Sequence, residues 1–470
     1  MDLALHVDQQ LDPRRWKALV LLCIANFMVI LDSQIVILAL PSIIRDLGLS
    51  LGGAQWVLSA NLVTFGGLLL LGGRAADLLG RRRIFMLGTA LFLVASLASG
   101  LAGNTEMLLA ARAVHGVSAA LMAPTALSIL TTTFPEGPER NKALAGWSGI
   151  AGIGATAGLL IGGGIAESLG WQWVFFINVP VALIMLLLSP VLLSESRDHG
   201  LPRTYDVAGA VTSTAAMVLI IYAIVDAPTA GWTSGKTIGL FVGAAALTAL
   251  FVAIERRSAA PLVPLRIFRN GTLVGGNLVM VAMGMTAFGM SVAVSQYAQQ
   301  ILGYSPMEFG LKQAVMPFMA FAGAYVGQAF VTRMGFRPVA AVCAALMAAG
   351  SLLLSRAPVD GQYVRDLLLA LLLFGVGLGA GTVAASAAAL SDVADADSGL
   401  ASGFNTAALQ IGGAIGVAIV STVVAGYVAG ADPAGMTQGF HAGFRACAVF
   451  AVIGLALAVL LLRRQRAAVR

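Results

Sequence analysis

The stretch GGRAADLLGRRR, which runs from Gly72 to Arg83, lies between two apolar segments and ends in three consecutive arginines. Lys and Arg are concentrated in the cytoplasmic loops of membrane proteins, and glycine permits a tight turn. A short, arginine-rich turn between two apolar segments therefore indicates a cytoplasmic loop that joins two membrane-spanning helices.

The composition is that of a membrane protein. Of the 470 residues, 59% are hydrophobic and only 11% are charged, and the mean hydropathy is +0.90. A soluble domain has about 25% charged residues, so this chain has too few charges to cover a surface in water. The first apolar segment is longer than the apolar region of a signal peptide, and we therefore expect no cleaved signal. The three cysteines, Cys23, Cys343 and Cys447, lie inside apolar segments without ligand spacing, which argues against disulfide and metal roles.

Apolar segments recur along the whole chain. Each is close to the ~20 helical residues that cross ~30 Å of hydrocarbon. We predict an all-α polytopic membrane protein with fourteen transmembrane helices. The predicted spans are residues 17–40, 54–73, 84–102, 107–131, 144–165, 174–193, 207–225, 237–254, 272–301, 309–331, 339–354, 367–390, 399–428 and 442–462.

The distribution of Lys and Arg predicts the orientation. An even number of spans places both termini on one side of the membrane. If that side is the cytoplasm, 21 of the 28 basic residues lie inside, 6 lie outside, and Arg112 remains within a span. This bias predicts cytoplasmic termini. The net charge of +6 is scattered over loops, so we expect no nucleic acid binding.

A weak internal repeat divides the chain. Residues 327–338, GQAFVTRMGFRP, have a Gly and Arg layout similar to that of residues 72–83, and the fifth and thirteenth predicted spans are both rich in glycine. We predict an N-terminal six-helix bundle (1–193), an inserted helix pair with linkers (194–271) and a C-terminal six-helix bundle (272–470). Two similar bundles are a known transporter architecture, in which the substrate binds between them near the membrane midplane.

Five segments carry a family resemblance. They are GRAADLLGRRR (73–83), LDSQIVILALP (31–41), RAVHG (112–116), GLLIGG (158–163) and WQWVFFINVP (171–180). Together they resemble the major facilitator superfamily, specifically its fourteen-span drug:proton antiporter family. This chain has Ala75, Gln34, Ile37, His115, Leu159 and Gln172 where the family pattern has Leu, Thr, Asn, Gln, Pro and Arg.

The charged residues inside the spans are the first candidates for function. Asp32 and Arg112 are the two fully charged side chains that lie well inside predicted spans, where a charge costs at least ~2.5–3.5 kcal/mol to insert. In one interpretation the two residues only pair and hold their helices together. In the other, Asp32 binds the proton whose movement drives transport, and the resemblance favours this second interpretation. His115 follows Arg112 by three residues and shares its helix face. It is either a proton relay or a packing residue.

Glycines and the arginine-rich loop suggest moving parts. The resemblance implies that Gly73, Asp77, Gly80 and Arg81 belong to a cytoplasmic gate loop, although charge topology alone explains the arginines. Gly158, Gly162 and Gly163 would form a pivot between the bundles, and the alternative is close helix packing.

Polar residues within the spans are the candidates for lining a substrate cavity. Because an unpaired polar group in lipid is costly, these side chains should face inward. Whether they touch substrate or join helices stays open. The candidates are Gln34, Asn61, Gln296, Tyr297, Asn405 and Gln410.

The segments that resemble enzyme motifs are incomplete or lie inside predicted spans. Gly235-Lys236-Thr237 lacks the first glycine of a phosphate-binding loop, and glycine-rich runs at 152–154 and 375–381 lie inside spans instead of after strands. We therefore expect no enzymatic activity, no metal and no cofactor.

The sequence and the resemblance together predict a proton-coupled exporter of amphipathic or cationic small molecules, monomeric in the lipid bilayer of a bacterial cytoplasmic membrane. Two alternatives stay open, namely a dedicated exporter of one metabolite or antibiotic and a membrane sensor or scaffold that does not transport.

Overall fold

The computed structural model describes residues 13–134, 138–196, 207–258, 265–391, 398–428 and 432–463, together with residues 393 and 430. Within these ranges the chain forms sixteen α-helices and no strand. The helices are α1 (Arg15–Leu47), α2 (Leu51–Leu79), α3 (Arg81–Gly100), α4 (Thr105–Thr133), α5 (Pro138–Ser168), α6 (Gln172–Phe176), α7 (Asn178–Leu192), α8 (Val207–Ala230), α9 (Gly235–Arg257), α10 (Gly271–Gln300), α11 (Pro306–Gln313), α12 (Val315–Met334), α13 (Phe336–Leu354), α14 (Leu368–Leu390), α15 (Ser398–Gly426) and α16 (Pro433–Leu461).

Every predicted span falls on one helix or on a pair of consecutive helices. In the described part of the chain, eleven such units are long and apolar enough to cross a membrane, and they include the pairs α6–α7 and α11–α12. The other three predicted spans fall on α2, α5 and α8. Shorter apolar stretches, Trp56–Leu69 and Ala208–Ile224, lie within α2 and α8. The prediction of an all-α polytopic membrane protein is confirmed.

Local chemistry explains where the helices begin and end. Gly48 ends α1 with φ +60°, a left-handed conformation that glycine adopts without strain. The side chains of Ser50 and Asn104 cap α2 and α4 by accepting hydrogen bonds from the backbone N–H groups of Gly53 and Met107.

The structure corrects the extent of the predicted gate loop. Helix α2 continues to Leu79, so Gly73 and Asp77 belong to its last turns, and the loop is reduced to the break at Gly80, where φ is +113°. A Cβ at the neighbouring Gly72 would lie 2.1 Å from the carbonyl oxygen of Ala120 in α4. This close packing holds the glycine-rich stretch in a helix, although glycine pairs favour a turn in isolation.

Hydrogen bonds define two faces of the helix assembly. On the terminal face, Arg15 pairs with Glu139 at 3.1 Å, and the backbone N–H of Arg82 donates to Glu195 Oε1 at 3.2 Å. This face therefore holds the starts of α1 and α5, the start of α3 and the end of α7. On the opposite face, Trp171 Nε1 donates to Asp46 Oδ2 at 3.0 Å, which joins the end of α1 to the start of α6.

The two predicted bundles meet along several helices. Ser295 in α10 donates to the carbonyl oxygen of Ile37 in α1 at 3.3 Å, and Gly66 in α2 packs against Gln410 in α15. The predicted inserted pair contacts the first predicted bundle through α8, where Thr214 donates to the carbonyl oxygen of Gly67 at 2.9 Å. These contacts place α1, α2, α10 and α15 around the interior between the bundles.

Candidate functional site

A buried ion pair lies in the first predicted bundle. Arg112 Nη1 in α4 donates to Asp32 Oδ2 in α1 at 2.7 Å, and both side chains are 2% exposed. The second carboxylate oxygen, Oδ1, accepts from Asn178 Nδ2 at 3.1 Å, and Arg112 Nε donates to the carbonyl oxygen of Val57 at 3.1 Å. Both charges are therefore neutralised and hydrogen bonded, which a buried pair requires to be tolerated.

His115 completes the cluster. Its Nδ1 lies 3.1 Å from Asp32 Oδ2 and also 3.1 Å from Arg112 Nη1, while its Nε2 lies 3.2 Å from Ser96 Oγ. The ring stacks on Phe92 at 5.1 Å between centroids. The structure thus brings together Asp32, Arg112 and His115, the three residues that the sequence analysis selected as candidates for proton coupling.

Sequence analysis missed two members of this cluster. Asn178 belongs to the quoted segment 171–180, and an amide inside an otherwise apolar run is the signal that identifies it. Ser96 carries no comparable signal, since serine satisfies its own hydroxyl in many apolar helices. Both are fully buried.

A small cavity of about 20 Å³ lies between the bundles, next to the ion pair. Its polar wall belongs to the first bundle and consists of Ser33, Asn61 and Arg112. Its apolar wall includes Phe288 and Val292 of α10 and Val417 of α15. The cavity therefore connects the guanidinium group of the buried pair with the second bundle.

The predicted pivot glycines lie where helices approach closely. A Cβ at Gly158 would be 3.0 Å from Gln34 Cβ, and one at Gly162 would be 2.3 Å from Ile35 Cγ1, so both positions pack against α1. A Cβ at Gly163 would be 2.5 Å from the carbonyl oxygen of Pro306 in α11. Gly163 thus lies at a contact between the bundles, on the opposite face.

The predicted gate residues lie on the terminal face. Arg81 begins α3, and its backbone N–H donates to the carbonyl oxygen of Ser196 at 3.0 Å. Arg82 and Arg83 lie 3.8 and 3.6 Å from Glu195 Oε2. The side chain of Asp77 lies outside the described part of the structure. The start of α3 therefore contacts the residues that follow α7. Glu195 is the acidic partner there, and sequence analysis did not identify it.

The six polar candidates have different surroundings. Asn61 lines the cavity, Gln34 packs against Gly158, Gln410 lies at the α2–α15 contact, and Gln296 is half-buried on α10. Asn405 accepts from Ser386 Oγ at 2.7 Å inside the second bundle.

Tyr297 is not among the residues that line the cavity next to the ion pair. Its ring packs between Phe440 and Phe444 of α16, and its hydroxyl donates to the carbonyl oxygen of Pro358 at 2.6 Å. The phenol is therefore satisfied within the core of the second bundle.

A polytopic helical membrane protein with a buried, hydrogen-bonded charge cluster beside an interior cavity has the construction of a transporter. The family model of the Major Facilitator Superfamily matches residues 22–255 and 276–470. The chain belongs to this superfamily, and it is a transporter and not an enzyme.

Relatives support this placement. The chain is 38% identical to the puromycin resistance protein pur8 of Streptomyces alboniger, with 96% of this chain and 91% of that protein aligned. It is 35% identical to the tetracenomycin C resistance and export protein of Streptomyces glaucescens, over 87% and 75% of the two chains. The solved structure of a peptide transporter, POT, in complex with sulfate matches with a TM-score of 0.67 at 16% identity, covering 94% of each chain, and so shares the fold.

Proposed function

We propose that this protein is a proton-coupled antiporter that exports amphipathic, drug-like small molecules by alternating access. The observation that carries the proposal is the Asp32–Arg112–His115 cluster, because it places a titratable carboxylate beside the cavity between the bundles. Both relatives are named for antibiotic resistance, and one of them also for export, which supports drug-like cargo.

Proton coupling follows from the chemistry of the Asp32–Arg112 ion pair. Protonation of Asp32 removes its negative charge and leaves the guanidinium of Arg112 buried without an ionised partner. Breaking a buried pair costs about 3–5 kcal/mol. The protonated protein therefore favours a conformation in which Arg112 gains other partners or water, and the deprotonated protein favours the paired arrangement. Such a difference between two conformations is what a transported proton needs in order to drive a cycle.

The remaining parts of the architecture belong to the same proposal. We place fourteen spans across a bacterial cytoplasmic membrane, with both termini and the Arg81–Arg83 segment inside. Residues 1–193 and 272–470 form the two moving bundles, and residues 194–271 form the inserted pair. Gly73, Asp77, Gly80 and Arg81 act at the gate, Gly158, Gly162 and Gly163 at the pivot, and the working unit is a monomer.

The test measures transport against a gradient. Purified protein is reconstituted in liposomes, a pH gradient is imposed, and uphill movement of puromycin and tetracenomycin C is followed first. Asp32→Asn keeps the shape and polarity of the side chain but cannot ionise. We expect it to abolish gradient-driven transport and proton release on substrate addition in detergent. Glu106→Gln is the matched control, because it removes a carboxylate at the exposed first turn of α4. Wild-type uphill transport by Asp32→Asn would refute the assignment of Asp32.

A second candidate is a dedicated exporter of one antibiotic, which the names of both relatives favour. A substrate panel separates the two possibilities. Competition among chemically unrelated compounds indicates a multidrug exporter, and transport of a single compound indicates a dedicated one.

A further inference from the structure

We infer that the inter-bundle cavity selects neutral or anionic substrates that present a hydrogen-bond acceptor to Arg112 and Asn61, and that it disfavours permanent cations. The inference rests on the proposed function, since it takes this cavity as the substrate site. It narrows the expectation of amphipathic or cationic cargo to one charge class.

The buried ion pair has a defined orientation toward the cavity. Arg112 lines the cavity, and Asp32 does not. Both oxygens of the carboxylate are already engaged, Oδ2 by Arg112 and His115 and Oδ1 by Asn178. The cavity therefore faces the positive member of the pair, while the negative member faces the interior of the first bundle.

The guanidinium group retains a nitrogen for a ligand. Its Nε donates to Val57, and its Nη1 contacts Asp32 and His115. Nη2 takes part in none of these bonds. An arginine carries five N–H donors and no acceptor, so any further partner of this group must supply an acceptor atom.

The other walls agree with this requirement. Asn61 lines the same cavity as Arg112, and its amide NH₂ group offers a second donor. Ser33 donates its hydroxyl proton to the carbonyl oxygen of Val29 at 3.1 Å. No side chain recorded in the cavity wall is acidic, and the wall opposite Arg112 is made of Phe288, Val292 and Val417. A permanent cation without N–H or O–H donors meets the guanidinium of Arg112 and finds no carboxylate among the side chains that line the cavity.

The size of the cavity shows which part of a ligand fits here. At about 20 Å³ it matches a single small polar group, whereas drug-sized ligands occupy roughly 300–1,000 Å³. The acceptor group of the substrate therefore binds at Arg112 and Asn61, and its apolar body contacts the second bundle once the bundles separate.

Three probes of similar bulk and different polarity test the inference. Triphenylphosphine oxide is neutral and carries a strong acceptor oxygen, tetraphenylphosphonium is a permanent cation without an acceptor, and triphenylmethane is neutral without an acceptor. Binding to the purified full-length chain is measured by calorimetry in an uncharged detergent without a pH gradient. A hydrogen bond to a charged group predicts at least tenfold tighter binding of the oxide than of either other probe. Equal or tighter binding of the phosphonium, or no binding of the oxide, overturns the inference.

A substitution reverses the predicted selectivity. Asn61→Asp places a carboxylate next to Arg112 in the cavity wall, and we expect the preference for the oxide over the phosphonium to fall at least tenfold. Asn104→Asp is the matched control, because it adds the same charge at the exposed cap of α4, where Asp is as good a cap as Asn. An unchanged preference in Asn61→Asp refutes the role of this wall, and the wild-type comparison stands if that variant does not fold.

The experiment separates this inference from the proposed function. If the oxide binds as expected but is not moved uphill by a pH gradient in liposomes, proton coupling fails and the selectivity of the cavity stands. If a pH gradient drives the phosphonium and not the oxide, export stands and the selectivity inference fails.

Discussion

The substitution Gly163→Ala tests the contact between α5 and α11 on the opposite face. A Cβ at this position would lie 2.5 Å from the carbonyl oxygen of Pro306 and 2.7 Å from the Cα of Met307, both in α11. These are backbone atoms, which cannot rotate away as a side chain can. Nearby, Glu167 Oε2 accepts the backbone N–H of Met307 at 3.2 Å, and Gly310 faces the carbonyl oxygen of Leu159. An added methyl group therefore acts on the contact between α5 and α11.

The magnitude follows from the cost of overpacking. Forcing a methyl group into a close-packed contact costs about 1–3 kcal/mol, and each 1.4 kcal/mol is a factor of ten in an equilibrium. The population with α5 against α11 should fall about five- to 150-fold relative to a conformation in which they are apart. The intrinsic helix preference of Ala over Gly is present in both conformations and cancels. The folding of each bundle should be unaffected.

The assay is a distance measurement by double electron–electron resonance. Spin labels are placed at Leu169 and Glu308, both exposed on the opposite face, after replacement of the three native cysteines. We expect the distance distribution of Gly163→Ala to shift toward longer distances. Gly146→Ala is the control, because it lies in the same helix and a Cβ there meets nothing within 4 Å. Identical distributions in Gly163→Ala and wild type would refute the assignment of this contact as a closure between the bundles.

Three further predictions concern packing, coupling and pH. A Cβ at Gly116 would lie 1.9 Å from Thr64 Oγ1, so Gly116→Ala should lower the melting temperature in detergent by several degrees, and an unchanged transition would contradict the α2–α4 packing. His115→Gln should retain uphill efflux, because the Asp32–Arg112 pair remains, and its loss in the liposome assay would assign a proton relay to His115. The Arg15 partner lowers the pKa of Glu139. The extra stability of the wild type over Glu139→Gln should therefore be complete near pH 7. It should be lost as the pH falls below about 4.3 and through the lowered pKa of Glu139. Melting curves of both proteins at graded pH would show or refute this loss.

The sequence predicts the membrane class because composition and apolar length are physical requirements of the bilayer. It also finds Asp32 and Arg112, since isolated charges in apolar segments are costly and therefore conspicuous. Their pairing depends on the rotation of α1 against α4, which only the packed structure reveals. Asn178 joins the cluster from α7, 146 positions away along the chain.

One wrong prediction and one role that the sequence left open have a common physical cause. The glycines at 72 and 73 suggest a turn, yet they continue α2 because a neighbouring backbone takes the space of the missing side chains. Tyr297 is polar enough to suggest a cavity, yet it faces aromatic rings on one side and a carbonyl oxygen on the other. In both cases the local residue type permits two environments, and the packing partner decides between them.

The geometry of His115 links the tautomer of its ring to the position of α1. Its Nδ1 lies within hydrogen-bond distance of both Asp32 and Arg112, but a single nitrogen cannot donate to the carboxylate and accept from the guanidinium at once. With a proton on Nδ1 the ring binds Asp32, and with the proton on Nε2 it accepts from Arg112 while donating to Ser96. A movement of α1 that separates Asp32 from Arg112 therefore also changes which tautomer the ring prefers. Ser96, Asp32 and Arg112 belong to three different helices, so the imidazole connects the titratable carboxylate with the relative position of α1, α3 and α4.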